Sequence, residues 1–195
     1  MLSNGVKIDP RVVRTRKLLV DAFLQVQRTK DFEDLTIQDI TDQATVNRAT
    51  FYAHFQDKYD LLEQVIHDGF AITLEKRLNV PIHSQQAHLR QLLLAISDHL
   101  VTIQSNCQRS YRMFGSMVEA QIKAQVRDHI RAWLAEDLTF RNVSPQQRDI
   151  AASIVTWSLY AAALEGQERA SQSSIDEIAE QTLPLINASI EALLV

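Results

Sequence analysis

The chain has 195 residues, 46% of them apolar, with only four glycines, four prolines and one cysteine, Cys107. That length holds one generous domain or two small ones, the apolar content excludes wholesale disorder, and a lone cysteine excludes a disulfide framework and CxxC-type metal sites. The net charge of −4 speaks against a nucleic-acid binder until its distribution is read: Met1–Lys30 carries seven basic and two acidic residues, a local +5 that leaves −9 on the remainder. A basic end on an acidic body suits a protein that meets phosphate with one surface, although a solvated charged helix has the same signature.

In chain order, Leu19, Ala22, Phe23 and Val26 recur at i, i+3, i+4 and i+7, which predicts an amphipathic helix from about Asp9 to Thr29 with Pro10 in its first turn. Thr36 is placed to cap a short helix, Ile37 to Ala44, with Asp39 three residues on. Thr45-Val46-Asn47 interrupts, and Asn47 caps a second short helix, about Arg48 to His54. Asp57 caps a longer one, whose Leu62, Val65, Ile66, Gly69, Phe70 and Thr73 share a face. Pro81 is a break. Ser84 then opens a helix with a buried stripe of Leu89, Leu92, Leu93, Ile96, Leu100 and Ile103. Asn106–Arg109 reads as a turn, Tyr111–Met117 as a short separate helix, and Val118, Ile122, Val126, Ile130 and Trp133 as a helix reaching about Glu136. Ser144 and Pro145 start another helix, and Ser174–Leu194 is the last, with a kink expected at Pro184. No strand alternation appears. The expected fold class is all-α: a three-helix N-terminal domain over residues 1–57 and a helical bundle over 58–195.

Thr36 to Phe55 therefore reads as helix, three-residue interruption, helix, the size of a helix-turn-helix. Ile37, Ile40, Ala44, Val46, Phe51 and Phe55 supply a small core that Leu19, Phe23 and Val26 complete. The second helix exposes Asn47, Arg48, Ala49, Thr50, Tyr52 and His54, short or planar polar groups that suit a groove. An arginine grips guanine bidentately, and threonine or tyrosine hydroxyls reach phosphates. Lys58, at the start of the next helix, is placed to clamp a phosphate together with local backbone N–H groups. The plainer reading of Tyr52 and His54 is an aromatic pair that packs the small domain.

The run TIQDITDQATVNRATFYAHFQDKYDLL resembles the DNA-binding signature of the TetR family of bacterial regulators. Thr36, Ile37, Ile40, Ala44, Val46, Thr50, Phe51, Tyr52, His54, Phe55, Lys58 and Leu61 match its pattern. Thr41, Thr45 and Asn47 depart from it, standing where the family has Ala, the turn Gly and Ser. A glycine admits positive φ, which a β-branched threonine tolerates poorly. The resemblance covers about 50 residues, including the first helix. It implies that Arg48, Ala49 and Tyr52 face bases or the adjacent backbone, that Thr36, Thr50, Tyr52, His54 and Lys58 hold phosphates, and that Arg14 and Lys17 add backbone contacts. It also implies a homodimer joined by the last two long helices, with repression as the usual output. A ligand would then tilt the reading heads through the long helix after Asp57.

The partners expected are double-stranded DNA, a second copy, and a small-molecule effector of apolar or aromatic character. The effector pocket would be lined from His99, Ile103, Cys107, Tyr111, Phe114, Met117, Trp133, Trp157 and Tyr160, residue types that are more often ordinary core than ligand wall. No metal or cofactor is expected, because there is no HExxH and no Cys/His cluster. The N-terminus lacks an apolar segment of the signal-peptide kind, and the uncharged run Ile150–Leu164 has 15 residues, short of the roughly 20 needed to span a bilayer, so a cytoplasmic protein is expected. Glu63, His67 and Asp68, and His99 beside Asp98, show no nucleophile–base arrangement, so no enzyme is expected. The alternative kept open is a helical adaptor that retains the head without binding DNA.

Overall fold

Side-chain caps written into the sequence set most of the helix starts. The computed structural model describes residues 9–106, 108–169 and 174–194, with side chains described for all of these but 105–113. Asp9 Oδ1 accepts from the Arg11 N–H at 2.8 Å ahead of α1, Pro10–Val26. Thr36 and Asp39 form a reciprocal capping box ahead of α2, Ile37–Ala44. Asn47 caps α3, Arg48–Tyr52, and Asp57 Oδ1 accepts from the N–H groups of Tyr59 and Asp60 at the start of α4, Lys58–Leu78. Ser84 accepts from the Ala87 N–H at the start of α5, Gln85–Asn106, which is followed by α6, Gln108–Glu136. Ser144–Gln147 and Ser174–Glu177 are further capping boxes, opening α7, Pro145–Glu168, and α8, Ile175–Glu191. Single 3-10 turns occupy Leu138–Phe140 and Ala192–Leu194. Among the described residues there is no strand, and no helix is long and apolar enough to cross a membrane.

Three sequence expectations shift. The separate helix expected over Tyr111–Met117 is part of α6. Gly115 is the only weak helix former there, and one glycine costs about 1 kcal/mol, too little to end a helix of this length. The first helix stops at Val26, where N–H groups of Arg28, Thr29 and Lys30 turn back to Gln25 and Val26. The third ends at Tyr52, two residues before His54.

The chain divides into two units, Met1–Val65 and Ile66–Val195, with the division inside α4. In the first unit Leu19, Phe23, Phe32, Leu35, Ile40, Phe51, Phe55 and Leu61 are buried together. Phe32 packs edge-on against Phe23 and Tyr59, with ring centroids 6.1 and 5.2 Å apart. Three short helices reach a stable core only because aromatic area is concentrated this way.

In the second unit α7 packs on α5, α6 and α8. Leu89, Leu93 and Ile96 of α5, Ile122, Val126 and Ile130 of α6, Ala152, Val155 and Leu159 of α7, and Ala179, Leu183 and Ile190 of α8 are buried. α7 and α8 approach closely at Gly166, where a Cβ would lie 2.8 Å from the flexible end of Ile175, its Cδ1. Arg131 of α6 reaches Asp149 of α7 at 2.7 Å, and Arg90 of α5 reaches Asp176 of α8 at 2.5 Å. The apolar residues of α7 are not all covered: Ile150, Ile154 and Trp157 repeat at helical spacing on its outer side and are more than half exposed.

Candidate nucleic-acid interface

The turn between α2 and α3 decides how α3 is presented. After α2 the Thr45 N–H donates to the Asp42 carbonyl at 3.2 Å, and the Val46 N–H donates to the Thr41 carbonyl at 3.0 Å. This nested pair is a Schellman motif, and it needs a left-handed residue in the position Thr45 holds. Thr45 has φ 56° and ψ 44°, the one non-glycine with positive φ among the described residues. The threonine thus adopts the conformation a glycine would take, at the steric cost of its branched Cβ. The turn keeps its geometry, and α3 starts three residues later, at Arg48.

Asn47 locks that start. Its Oδ1 accepts from the Thr50 N–H at 2.7 Å and from the Thr50 hydroxyl at 2.9 Å. Phe51 is buried beneath α3 and anchors it. Arg48, Ala49 and Tyr52 are left on the exposed side, with Tyr52 56% exposed and its ring edge-on to Phe51. A short helix carrying a guanidinium, a methyl and a phenol outward, with its backbone pinned at both ends, presents the chemistry that reads base edges.

The remaining expected contacts divide. Arg14 and Lys17 lie on the exposed side of α1. The Thr36 hydroxyl donates to Asp39 Oδ2 at 2.7 Å, so its proton is held within the capping box. Lys30 completes that corner at 2.6 Å from the same oxygen, and this hydrogen bond, with those from Thr36, holds the Asp39 carboxyl well below the usual carboxylate range. His54 is half-buried, and its carbonyl accepts from Arg16 at 3.1 Å.

Lys58 does not stand free for a phosphate. Its ammonium donates to the carbonyls of Phe32, Glu33 and Leu35 at 2.8, 3.0 and 2.9 Å, so all three of its protons are used. The clamp expected of Lys58 is therefore an internal one, and the phosphate role is corrected to positioning of the segment between α1 and α2. Arg16 is a second internal staple, at a position with no motif to mark it. It donates to Gln64 at 2.7 Å and lies 4.5 Å over the Phe55 ring. Neither contact has a local sequence signal, since the partners lie more than 20 residues away.

Of the expected effector residues, Cys107 and the Tyr111 side chain lie outside the described residues. His99 and Tyr160 are buried, and Ile103, Phe114, Met117 and Trp133 are half-buried. Trp157 lies at the surface, 61% exposed, on a groove between α6 and α7, and Trp133 borders a different pocket beside His83 and His88. The described residues thus do not gather the predicted set into one pocket. Burial holds the His99 imidazole down to about 4, and its Nε2 has no partner among the described residues. No group of three or more described His, Cys, Asp or Glu side chains is placed to hold a metal.

A three-helix unit with a Schellman turn and an outward-facing, capped third helix is a helix-turn-helix of the kind found in DNA-binding regulators. Residues 19–65 match the family described as bacterial regulatory proteins, tetR family. The chain is 49% identical over 66 residues to an uncharacterized HTH-type transcriptional regulator, YxbF, of Bacillus subtilis (strain 168), and 30% identical over 57 residues to the HTH-type dhaKLM operon transcriptional activator DhaS of Lactococcus lactis subsp. lactis (strain IL1403). These stretches are 33% and 29% of this chain and span only 17% and 30% of those two proteins. The whole fold is similar to the crystal structure of a TetR-family transcriptional regulator from Pectobacterium atrosepticum, with a TM-score of 0.56 and 19% identity over 95% of this chain and 96% of that one.

Proposed function

We propose that the chain is a site-specific regulator of transcription that binds double-stranded DNA as a homodimer and responds to a small molecule. The observation that carries the reading is the outward face of α3, where Arg48, Ala49 and Tyr52 stand clear of the unit's own core on a turn that fixes their direction. Arg48 is assigned to a base edge and Tyr52 to a base or the adjacent phosphate. Asn47 and Thr50 set the start of the helix, and Arg14 and Lys17 of α1 contact the phosphate backbone.

The homodimer is supported by the outer apolar residues Ile150 and Ile154 of α7 together with Leu185 of α8, which is 73% exposed. Isolated chains seldom leave such a face to water, and two such helix pairs form a four-helix interface. Symmetry then places two α3 helices on a near-palindrome with half-sites roughly 34 Å apart. We assign repression as the output. DhaS is described as an activator, so the sign is read from a reporter gene carrying the selected site.

The test is selection of bound sequences from random duplex DNA with the full chain at moderate salt. Enrichment of a near-palindrome that Arg48→Ala abolishes supports the reading. Failure of enrichment both without ligand and in the presence of organic carboxylates leaves the head as an adaptor module and overturns it.

A further inference from the structure

Between α6 and α7 runs a groove of about 440 Å³, within the range of small-molecule sites. Glu119, Lys123 and Arg127 line it from α6 and, at a spacing of four, share one face of that helix. Ala120 and Ala124 lie between them, and their small side chains keep the floor open. Trp157 of α7 forms the opposite wall.

Three observations distinguish this groove from a packing defect. Thr156, which also lines it, is 2% exposed, and its hydroxyl has no hydrogen-bond partner among the described residues. Hydroxyls on helices ordinarily bond back to a carbonyl one turn earlier, and the neighbouring Ser153 and Ser158 do so at 2.9 Å, to Asp149 and Ile154. A buried hydroxyl left unpaired beside a groove keeps a donor and an acceptor unspent. Second, the three charges of the groove sum to one excess positive charge. Lys123 is paired with Glu119, whereas Arg127 is exposed and has no ion pair among the described residues. Third, the Lys123 ammonium lies 3.0 Å from the centroid of the Trp157 ring, which holds the indole upright although it is largely exposed.

We propose that this groove binds a small organic monoanion, a carboxylate carrying an apolar body such as an aromatic ring. The carboxylate meets the Arg127 guanidinium and the Lys123 ammonium, and the Thr156 hydroxyl donates to it. The apolar body lies over Ala120 and Ala124 against the indole of Trp157. Arg127 supplies the planar fork that suits a carboxylate, and the single excess charge selects a monoanion over a dianion or a neutral analogue. As a binding site this stands apart from the DNA-binding reading; as the effector site of a regulator it rests on that reading.

The experiment uses the full chain with Trp133→Phe, which leaves Trp157 as the one tryptophan. Its emission is titrated with benzoate, phenylacetate and octanoate, and with benzyl alcohol as the neutral isostere of benzoate. The expected result is a saturable change with at least one carboxylate, absent with benzyl alcohol, and at least ten-fold weaker in Arg127→Gln and Thr156→Val. No saturable change with any carboxylate overturns the site, as does a change that both substitutions leave intact. Emission that ignores carboxylates and shifts only with protein concentration assigns Trp157 to an interface between copies and also overturns it. Saturable, Arg127-dependent binding that leaves affinity for the selected DNA unchanged upholds the site and removes its effector role.

Discussion

The ammonium of Lys58 donates to the carbonyl of Phe32 at 2.8 Å while lying 4.7 Å above the ring of the same residue. One cation thus grips both the backbone and the side chain of the segment between α1 and α2, and the carbonyls of Glu33 and Leu35 take its remaining protons. A lysine at this place in a helix-turn-helix suggests a phosphate contact, but its geometry makes it a brace. Lys58→Met should leave three carbonyls short of a partner and cost on the order of 3 kcal/mol in the N-terminal unit, hydrogen bonds to charged groups being worth about 1.5–3 kcal/mol. Amide exchange over α2 and α3 reads this, since both tryptophans lie in the other unit. The salt dependence of DNA binding should keep its slope. A slope shallower by about one, with exchange unchanged, returns Lys58 to the phosphate backbone.

Thr45 carries a left-handed backbone that its branched Cβ opposes. Thr45→Gly should stabilise the N-terminal unit by about 1 kcal/mol, the relief of strain outweighing the added freedom of the unfolded chain. Thr45→Asn should recover part of that gain. Exchange protection of Val46 and Phe51 measures both, and a loss of protection in Thr45→Gly contradicts the strain. The preferred DNA sequence should not change, because the Schellman bonds involve the backbone of Thr45 and not its hydroxyl.

Arg48→Ala should weaken binding to the selected sequence by about 1–3 kcal/mol and relax preference at a single position in each half-site. Lys17→Ala should weaken binding to all duplexes alike and lower the salt slope by about one. Both are read in one set of binding isotherms across salt. If the two variants behave alike, the assignment of Arg48 to a base edge fails.

Burial lowers His99 and His88 to about 4, and it lowers His129 as well, whose Nε2 faces that of His88 at 2.8 Å. His88 is opposed by a second imidazole and stacked against Trp133, while Glu136 acts on His129 in the opposite direction. Each group takes up its proton in the unfolded chain near 6.5 but not in the fold until lower pH. Stability is therefore full above about pH 6.5 and is lost as pH falls toward 4. Between pH 7.5 and 5.5, where carboxylates hardly titrate, His99→Leu should remove about 1 kcal/mol of the loss. Urea unfolding followed by tryptophan emission checks this, and a pH dependence equal to that of the parent chain contradicts it.

Local chemistry made much of the molecule readable from its sequence. Thr36, Asn47, Asp57, Ser84 and Ser144 cap the helices they were expected to cap, and α2 has the bounds predicted for it, because a cap is settled by residues two or three apart. The reading helix was legible for the same reason: burial of Phe51 and exposure of Arg48 and Tyr52 follow from helical spacing on a five-residue segment. What joins distant residues was not. Nothing near Lys58 in the chain shows the three carbonyls brought to it from residues 32–35, so its place in the sequence points it outward. Arg16 has no motif to mark it, because Gln64 is 48 residues away. Trp157 read as pocket wall because a tryptophan in an uncharged run suggests burial, and only the packing of α7 on α5, α6 and α8 shows which of its sides stays open. By itself the sequence determined the helices, their caps and the helix-turn-helix, all properties of near neighbours. The tertiary structure decided which cations are spent internally, which apolar stripe is left uncovered, and where a buried hydroxyl faces a groove, because these depend on groups that meet only when the chain is folded.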